Sequence, residues 1–396
     1  MTTKLRAASF QDNAVTTAKI AADAITNAKI ADDAVQTENV ASTVNLGRRN
    51  IIINGAMQVA QRSTSFSGLG ATHAGYTTLD RYAAYAGADA TAGRYTMSQS
   101  TVTDLEGFSN ALKIDCTTAD TSVAAGEALL IQHPVEGFNV QQLKATSTTT
   151  RAFTLSFYAK SNASRAIATE INLTNGTNNS ASKLHTIGTS WARYTFTVPA
   201  ASSTQIDNDN SSELQVNFWL HAGSTYSSGT MSASLAPITN ANRAAGIGSI
   251  FASTDNEIEI TGVQLELGET ATPFEHKPIG EELALCQRYF FQINGTGTEY
   301  NTMSSGQMYT TTTYLGYFQT PVPMRAKPSF SLNNSLSTTN FSVVTGGAVR
   351  AISSLTPTGD NQYLRINAAV TTSGTQGHGG YVQLQNGYNA LWSAEI

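Results

Sequence analysis

Residues Phe153–Lys160 read FTLSFYAK, and the pattern recurs twice, in WARYTFTV at Trp191–Val198 and LQVNFWL at Leu214–Leu220. Apolar residues at every second position mark a half-buried strand, because successive Cβ atoms point to opposite faces. The stretch IEITGVQLEL at Ile258–Leu267 closes the series: Ile258 and Ile260, a change of register at Gly262, then Val263, Leu265 and Leu267. From about residue 50 to 272, short strand signals alternate with Gly, Ser and Asn clusters. That spacing predicts a β-sandwich or jelly roll. At its start the run Ile51-Ile52-Ile53 reads as a buried strand.

Beyond the sandwich, residues 269–278 form a linker with two prolines, and 280–289 (GEELALCQRY) carry a helical pattern with acids first and Arg288 near the end. Strand patterns return from Tyr289 to Ile396. Before the sandwich, residues 12–41 write one ten-residue unit three times, DNAVTTAKIA, ADAITNAKIA and DDAVQTENVA. Its branched residues Val15, Ile20, Ile25, Ile30, Val35 and Val40 fall every five positions, a period that fits neither helix nor strand. Such a segment cannot bury itself alone, so it reads as a shaft or attachment segment completed by parallel copies. An Ala- and Asp-rich tail with accidental regularity is the alternative. A coiled coil fits less well, since about 3.3 residues per turn is tighter than supercoils tolerate. The expected fold is therefore mainly β in three parts: repeat 1–47, jelly roll 48–279, and a smaller C-terminal β domain 280–396.

Only 13% of the 396 residues are charged, against 15 Phe, 15 Tyr and 3 Trp, a balance that suits Thr-rich strands rather than disorder. A net charge of −5 offers no footprint for nucleic acid. No apolar run is long enough to span a membrane, and MTTKLRAASF has no signal-peptide core. Cys116 and Cys286 are expected to be buried small residues rather than a disulfide or metal site.

Three stretches resemble phage tail fibres and receptor-binding proteins: the AKIA-bearing repeat; RNIIINGAMQVAQR (49–62) with TLDRY (78–82); and GVQLELG (262–268) through TPFE (272–275) to CQRYF (286–290). The similarity covers about residues 1–290. It implies a carbohydrate-binding-module-like jelly roll in a parallel homotrimer. It also implies a virion location, with assembly in the host cytoplasm, and an N-terminus docked to a tail adaptor or tail-tube protein. The receptor would be a bacterial surface glycan or an outer-membrane protein. A structural calcium is known in such modules. No other cofactor and no catalytic residue is expected.

Sugar recognition needs flat aromatic faces, and weak sites gain strength by repetition. Trp191 and Trp219 are stacking candidates, though both fall in strand patterns that suit a core. Tyr300, Tyr309, Tyr314, Tyr317, Tyr381, Tyr388 and Trp392 sit among Gly, Asn and Gln and resemble an adaptable recognition surface, with packing between copies as the alternative. QIDNDN (205–210) has oxygen ligands but lacks the Gly and distal Glu of an EF-hand, so an Asx-rich turn is favoured. The six histidines show no ligand spacing. GTQGHGG (374–380) lacks the Lys and the strand-to-helix setting of a phosphate loop. Asp80-Arg81 reads as an ion pair or turn anchor. The competing classes are a tailspike depolymerase, whose two carboxylates would come from Glu257, Glu259 or Glu266, and a secreted carbohydrate-binding protein.

Overall fold

The alternating stretches become paired strands. The computed structural model describes residues 48–396 except 71, 88, 90–91, 177, 203–205, 295–300, 333–340 and 385–386. The ten-residue repeats, Gln205 and Tyr300 lie outside the described residues. One sheet runs in the order Ser65–Gly70, Arg94–Thr101, Asn110–Thr118, Glu257–Leu267, Phe153–Ser161, Ala192–Val198. The other runs Ala236–Pro237, Asn179–Ile187, Arg165–Leu173, Ser212–Ala222, Ala128–Glu136, Ala83–Ala86, Ala74–Gly75. Pairing is antiparallel, and the chain crosses repeatedly between the sheets, giving a jelly-roll-like sandwich. Val216, Phe218 and Leu220 meet Leu155, Phe157 and Ile260 in the shared core.

At Gly262 the register against Phe153–Ser161 slips between Thr261 and Gln264. The residue has φ +59°, and a Cβ there would lie 2.8 Å from the Phe108 and Tyr158 rings, so only glycine fits. Ile51, Ile52 and Ile53 are buried, as their composition requires, but they form no strand. Left-handed turns at Asn54 (φ 60°) and Met57 (φ 57°) break the extended run. The Asn50 side chain takes the place of a ladder: its Oδ1 accepts from Ile52 N (3.0 Å) and Leu265 N (3.2 Å), and its Nδ2 donates to Val263 O (3.1 Å).

The helix spans Ile279–Gln287, with Glu281 and Glu282 in its first turn. Buried Glu282 accepts Asn54 N–H and fixes the helix against the Asn54 turn. Cys286 packs there with Ile53, Val59 and Tyr289, and both cysteines are buried free thiols. Beyond the helix, six strands close into a barrel in the order Asn301–Met308, Thr313–Gln319, Tyr363–Val370, Ala348–Gly359, Phe341–Thr345, Gly379–Leu384. A three-stranded sheet of Phe290–Asn294, Asn389–Ser393 and Ser329–Leu332 adjoins it.

Sandwich and barrel meet along a polar seam. Buried Arg81 (φ 72°) pairs with Glu395, donates to Pro134 O (2.7 Å), and stacks its guanidinium 3.5 Å from the Tyr289 ring centre. Arg62 reaches Glu395 (3.1 Å) and lies 3.6 Å over Phe290. Arg288 grips Glu136 with two bonds of 3.0 and 2.8 Å. Arg325 donates to Asn210 O, Ala394 O and Glu395 O. Arg81 is thus a turn anchor whose partner is Glu395, not its neighbour Asp80.

Asp80 and His133 near this seam, with His185 packed on Phe157 and Tyr194 in the sandwich, set a pH response. Burial pushes the Asp80 carboxyl up to about 6, while it pulls His133 down to about 3 and His185 to about 4. Each histidine gains a proton only on unfolding, so its contribution to stability falls as pH drops below about 6.5. Asp80 acts in the opposite sense. Its raised pKa makes the folded state the better proton binder, and its contribution weakens as pH rises from about 3.8 through about 6. At pH 5 the three groups together take up about one proton on unfolding, a slope of about 1.4 kcal/mol per pH unit. In Asp80→Asn the slope should steepen by about one further proton. Urea melts between pH 4.5 and 5.5 measure this, and equal slopes in the two proteins would refute it.

Candidate functional site

Two rows of residues cross the outer face of the seven-stranded sheet. Leu184, Ala168, Trp219, Leu130 and Tyr85 are successive cross-strand partners, and beside them run Ser182, Glu170, Asn217, Gln132 and Ala83. A strand's outer face normally meets water, yet Glu170 and Trp219 are buried. The segment 223–248 folds over them. Tyr226, on the helical turn Ser224–Ser227, lies 5.3 Å from the Trp219 ring, and Ala244 N donates to Tyr226 O (2.8 Å).

Arg243, just past the 3-10 turn Asn240–Asn242, reaches back to the sheet. Its Nε and Nη2 donate to the two oxygens of Glu170 (2.7 and 2.9 Å), and its guanidinium lies 4.8 Å from the Trp219 ring centre. Glu170 also accepts from Asn217 Nδ2 (3.0 Å) and Trp219 Nε1 (2.9 Å). Four charge-assisted bonds on one buried carboxylate hold this floor rigid. An open groove of about 190 Å³ remains, lined by Tyr85, Leu130, Gln132, Trp219, Tyr226 and Arg243. That is short of the roughly 300–1,000 Å³ of pockets enclosing drug-sized ligands. It suits a site that touches one ring of a longer chain, with Tyr85 exposed at the rim and Gln132 and Arg243 as polar contacts.

Trp219 is 1% exposed and packs beneath this groove with Leu130, Ala168 and Ala244, which corrects its expected role as a stacking platform. Trp191 is half-buried beneath Lys160, whose ammonium lies 5.0 Å from its ring, and its indole N–H donates to Asp104 (2.8 Å). In the barrel region Tyr309, Tyr317 and Tyr381 are exposed. Tyr314 and Trp392 are not: both are fully buried, which corrects their expected place at the surface. Tyr314 points into the barrel and donates to Ser304 O (3.2 Å), while Trp392 stacks on Phe318 at 4.9 Å. Tyr388 packs half-buried against Phe341. Tyr85, Glu170 and Arg243 were missed from sequence. None of them left a local signal: the short strand around Tyr85 reads AAYA, with no alternation of apolar and polar residues.

The carboxylates proposed for hydrolysis are each held. Glu257 pairs with Lys113 and Glu259 with Lys160 (3.1 Å). Buried Glu266 accepts from Gln264 (2.7 Å) and from the backbone and hydroxyl of Thr272. A Glu127–His221–Ser249 relay (2.9 and 2.7 Å) is buried at its histidine, and the Ser249 hydroxyl also accepts Phe251 N–H at the start of a 3-10 turn. In 205–210, Asp209 accepts from Ser211 in an Asx turn and Asn210 donates to Arg325 O. Among the described residues no group of three His, Cys, Asp or Glu side chains is placed to hold a metal ion.

No family model matches the chain, and no curated protein matches it. Solved structures with similar portions include the enzymatically active domain of tailspike protein 4 of bacteriophage CBA120. It is 14% identical over 55% of this chain and 21% of that one, with TM-score 0.27. The carbohydrate-binding module TmCBM61, solved with β-1,4-galactotriose, is 10% identical over 56% and 99%, with TM-score 0.28. The family 11 module of the cellulase Lic26A-Cel5E of Clostridium thermocellum is 9% identical over 52% and 98%, with TM-score 0.27. The chain spans about a fifth of the tailspike domain it matches. At these scores the likenesses fix neither ligand nor activity.

Proposed function

We propose that this chain is a phage tail fibre, a structural virion protein that adsorbs the particle to a host by binding a cell-surface polysaccharide. The groove over Trp219 carries this reading: an exposed tyrosine, an amide and a guanidinium surround an open, rigid floor. Those groups suit the faces and hydroxyls of a pyranose. Weak contacts of this size become firm adsorption through repetition, with identical chains in a parallel homotrimer joined through the N-terminal repeats and several fibres per particle. The repeat segment would dock to a tail adaptor or tail-tube protein.

Affinity electrophoresis of the full chain through gels containing host surface polysaccharide tests the reading. Retardation is expected, and Tyr85→Ala should weaken it about tenfold, equivalent to about 1.4 kcal/mol. Unretarded migration, or release of new reducing ends from the polymer, would overturn it in favour of a non-glycan receptor or a depolymerase.

A further inference from the structure

The barrel carries a second aromatic surface of different character. Tyr381, Ser305, Tyr317 and Arg365 are direct cross-strand partners in successive strands, so their side chains stand in one row on the outer wall. Tyr317 is 71% exposed and Tyr381 39%, and Tyr363, two residues from Arg365 on the same face, is 61% exposed. Neighbouring strands lie about 4.8 Å apart, which sets the two row tyrosines about 10 Å apart with only a serine between them. Behind this row are Gly380, Gly306 and Gly316. A Cβ on Gly316 would sit 2.6 Å from the Tyr314 ring, so this glycine admits that ring directly under the wall. The Tyr314 hydroxyl ties the wall together by donating to Ser304 O and Gly380 O. The tyrosines thus stand on a stiff support.

Charge sets this surface apart. Residues 301–390 contain Arg325, Lys327, Arg350 and Arg365 but a single acid, Asp360, in a chain whose net charge is −5. Arg325 is engaged in the seam, and the Asp360 carboxylate accepts the N–H groups of Gln362 and Tyr363. Among the described residues Arg365 forms no ion pair with a carboxylate. The centre of the row is Ser305, with Gln319 and Asn367 on the adjacent wall.

We propose that this row binds an extended anionic polysaccharide, with sugar rings on Tyr381 and Tyr317 and a carboxylate of the polymer paired with Arg365. The proposal rests on the adhesin reading and names the ligand class of a contact separate from the jelly-roll groove. A planar guanidinium takes a carboxylate through two parallel bonds, and tyrosines supply ring contact at little entropic cost.

Affinity electrophoresis of the full chain in alginate and in carboxyl-reduced alginate provides the test. Alginate should retard the protein at least tenfold more strongly than the reduced polymer. Arg365→Gln and Tyr317→Ala should each cut alginate retention about tenfold with unchanged thermal melting. Equal retention by the two polymers, no retention by alginate, or unaltered retention of both barrel variants would overturn the proposal. So would a fall in oligomeric mass of those variants without a change in retention, which would assign the row to contact between copies. Loss with Tyr85→Ala alone would place the glycan contact in the groove and leave the adhesin reading standing.

Discussion

Arg81→Met should cost about 3–5 kcal/mol, the range for breaking a buried ion pair from one side. Methionine keeps much of the volume of the stem but removes every donor. The Glu395 carboxylate, itself nearly buried, then keeps Arg62 as its cation. Pro134 O loses its 2.7 Å partner, and the Tyr289 ring loses the cation 3.5 Å from its centre. A folded domain holds only about 5–15 kcal/mol in total. The variant should therefore melt far below the parent, with the barrel released from the sandwich first. Calorimetry of the full chain and limited proteolysis near 288–290 measure both effects. A single transition within about 2 °C of the parent would refute the role assigned to Arg81.

Glu170→Ala should be nearly as damaging, again about 3–5 kcal/mol. It leaves the Arg243 guanidinium without its bidentate partner and orphans the Asn217 amide and the Trp219 indole N–H. Each buried donor left without an acceptor costs about 1–3 kcal/mol. The double variant Glu170→Leu with Arg243→Met separates stability from recognition. Apolar replacement of a whole buried pair is often neutral, so melting should recover the share of the loss due to the unpaired Arg243, while the Asn217 and Trp219 donors stay orphaned and glycan retention stays abolished. Recovery of both would show that the groove does not bind through Arg243.

The sandwich was legible because its strands keep a strict period of two, and even the slip at Gly262 showed as a break in that period. The same rule, applied inside the barrel, would have sorted its aromatics. Tyr314 and Tyr317 are three apart, so on one strand they face opposite ways, one into the core and one to solvent. Read as loop residues, they looked alike. Ile51–Ile53 announced burial correctly, but the side chain of Asn50 replaced the ladder, which composition does not reveal. Trp219 alternates outward and is still buried, because residues 223–248 return over it. The Glu170–Arg243 pair, 73 residues apart, has no signature in the local pattern of either residue.

The Arg81–Glu395 contact joins residues 314 positions apart. A ribosome adding about 5–20 residues per second makes the arginine roughly 15–60 s before its acid emerges. Throughout that interval the nascent sandwich carries a cation that it cannot neutralise in its final manner. Docking of the barrel accordingly waits until Glu395 has been made, and neighbouring chains on one message have that time in which to find each other.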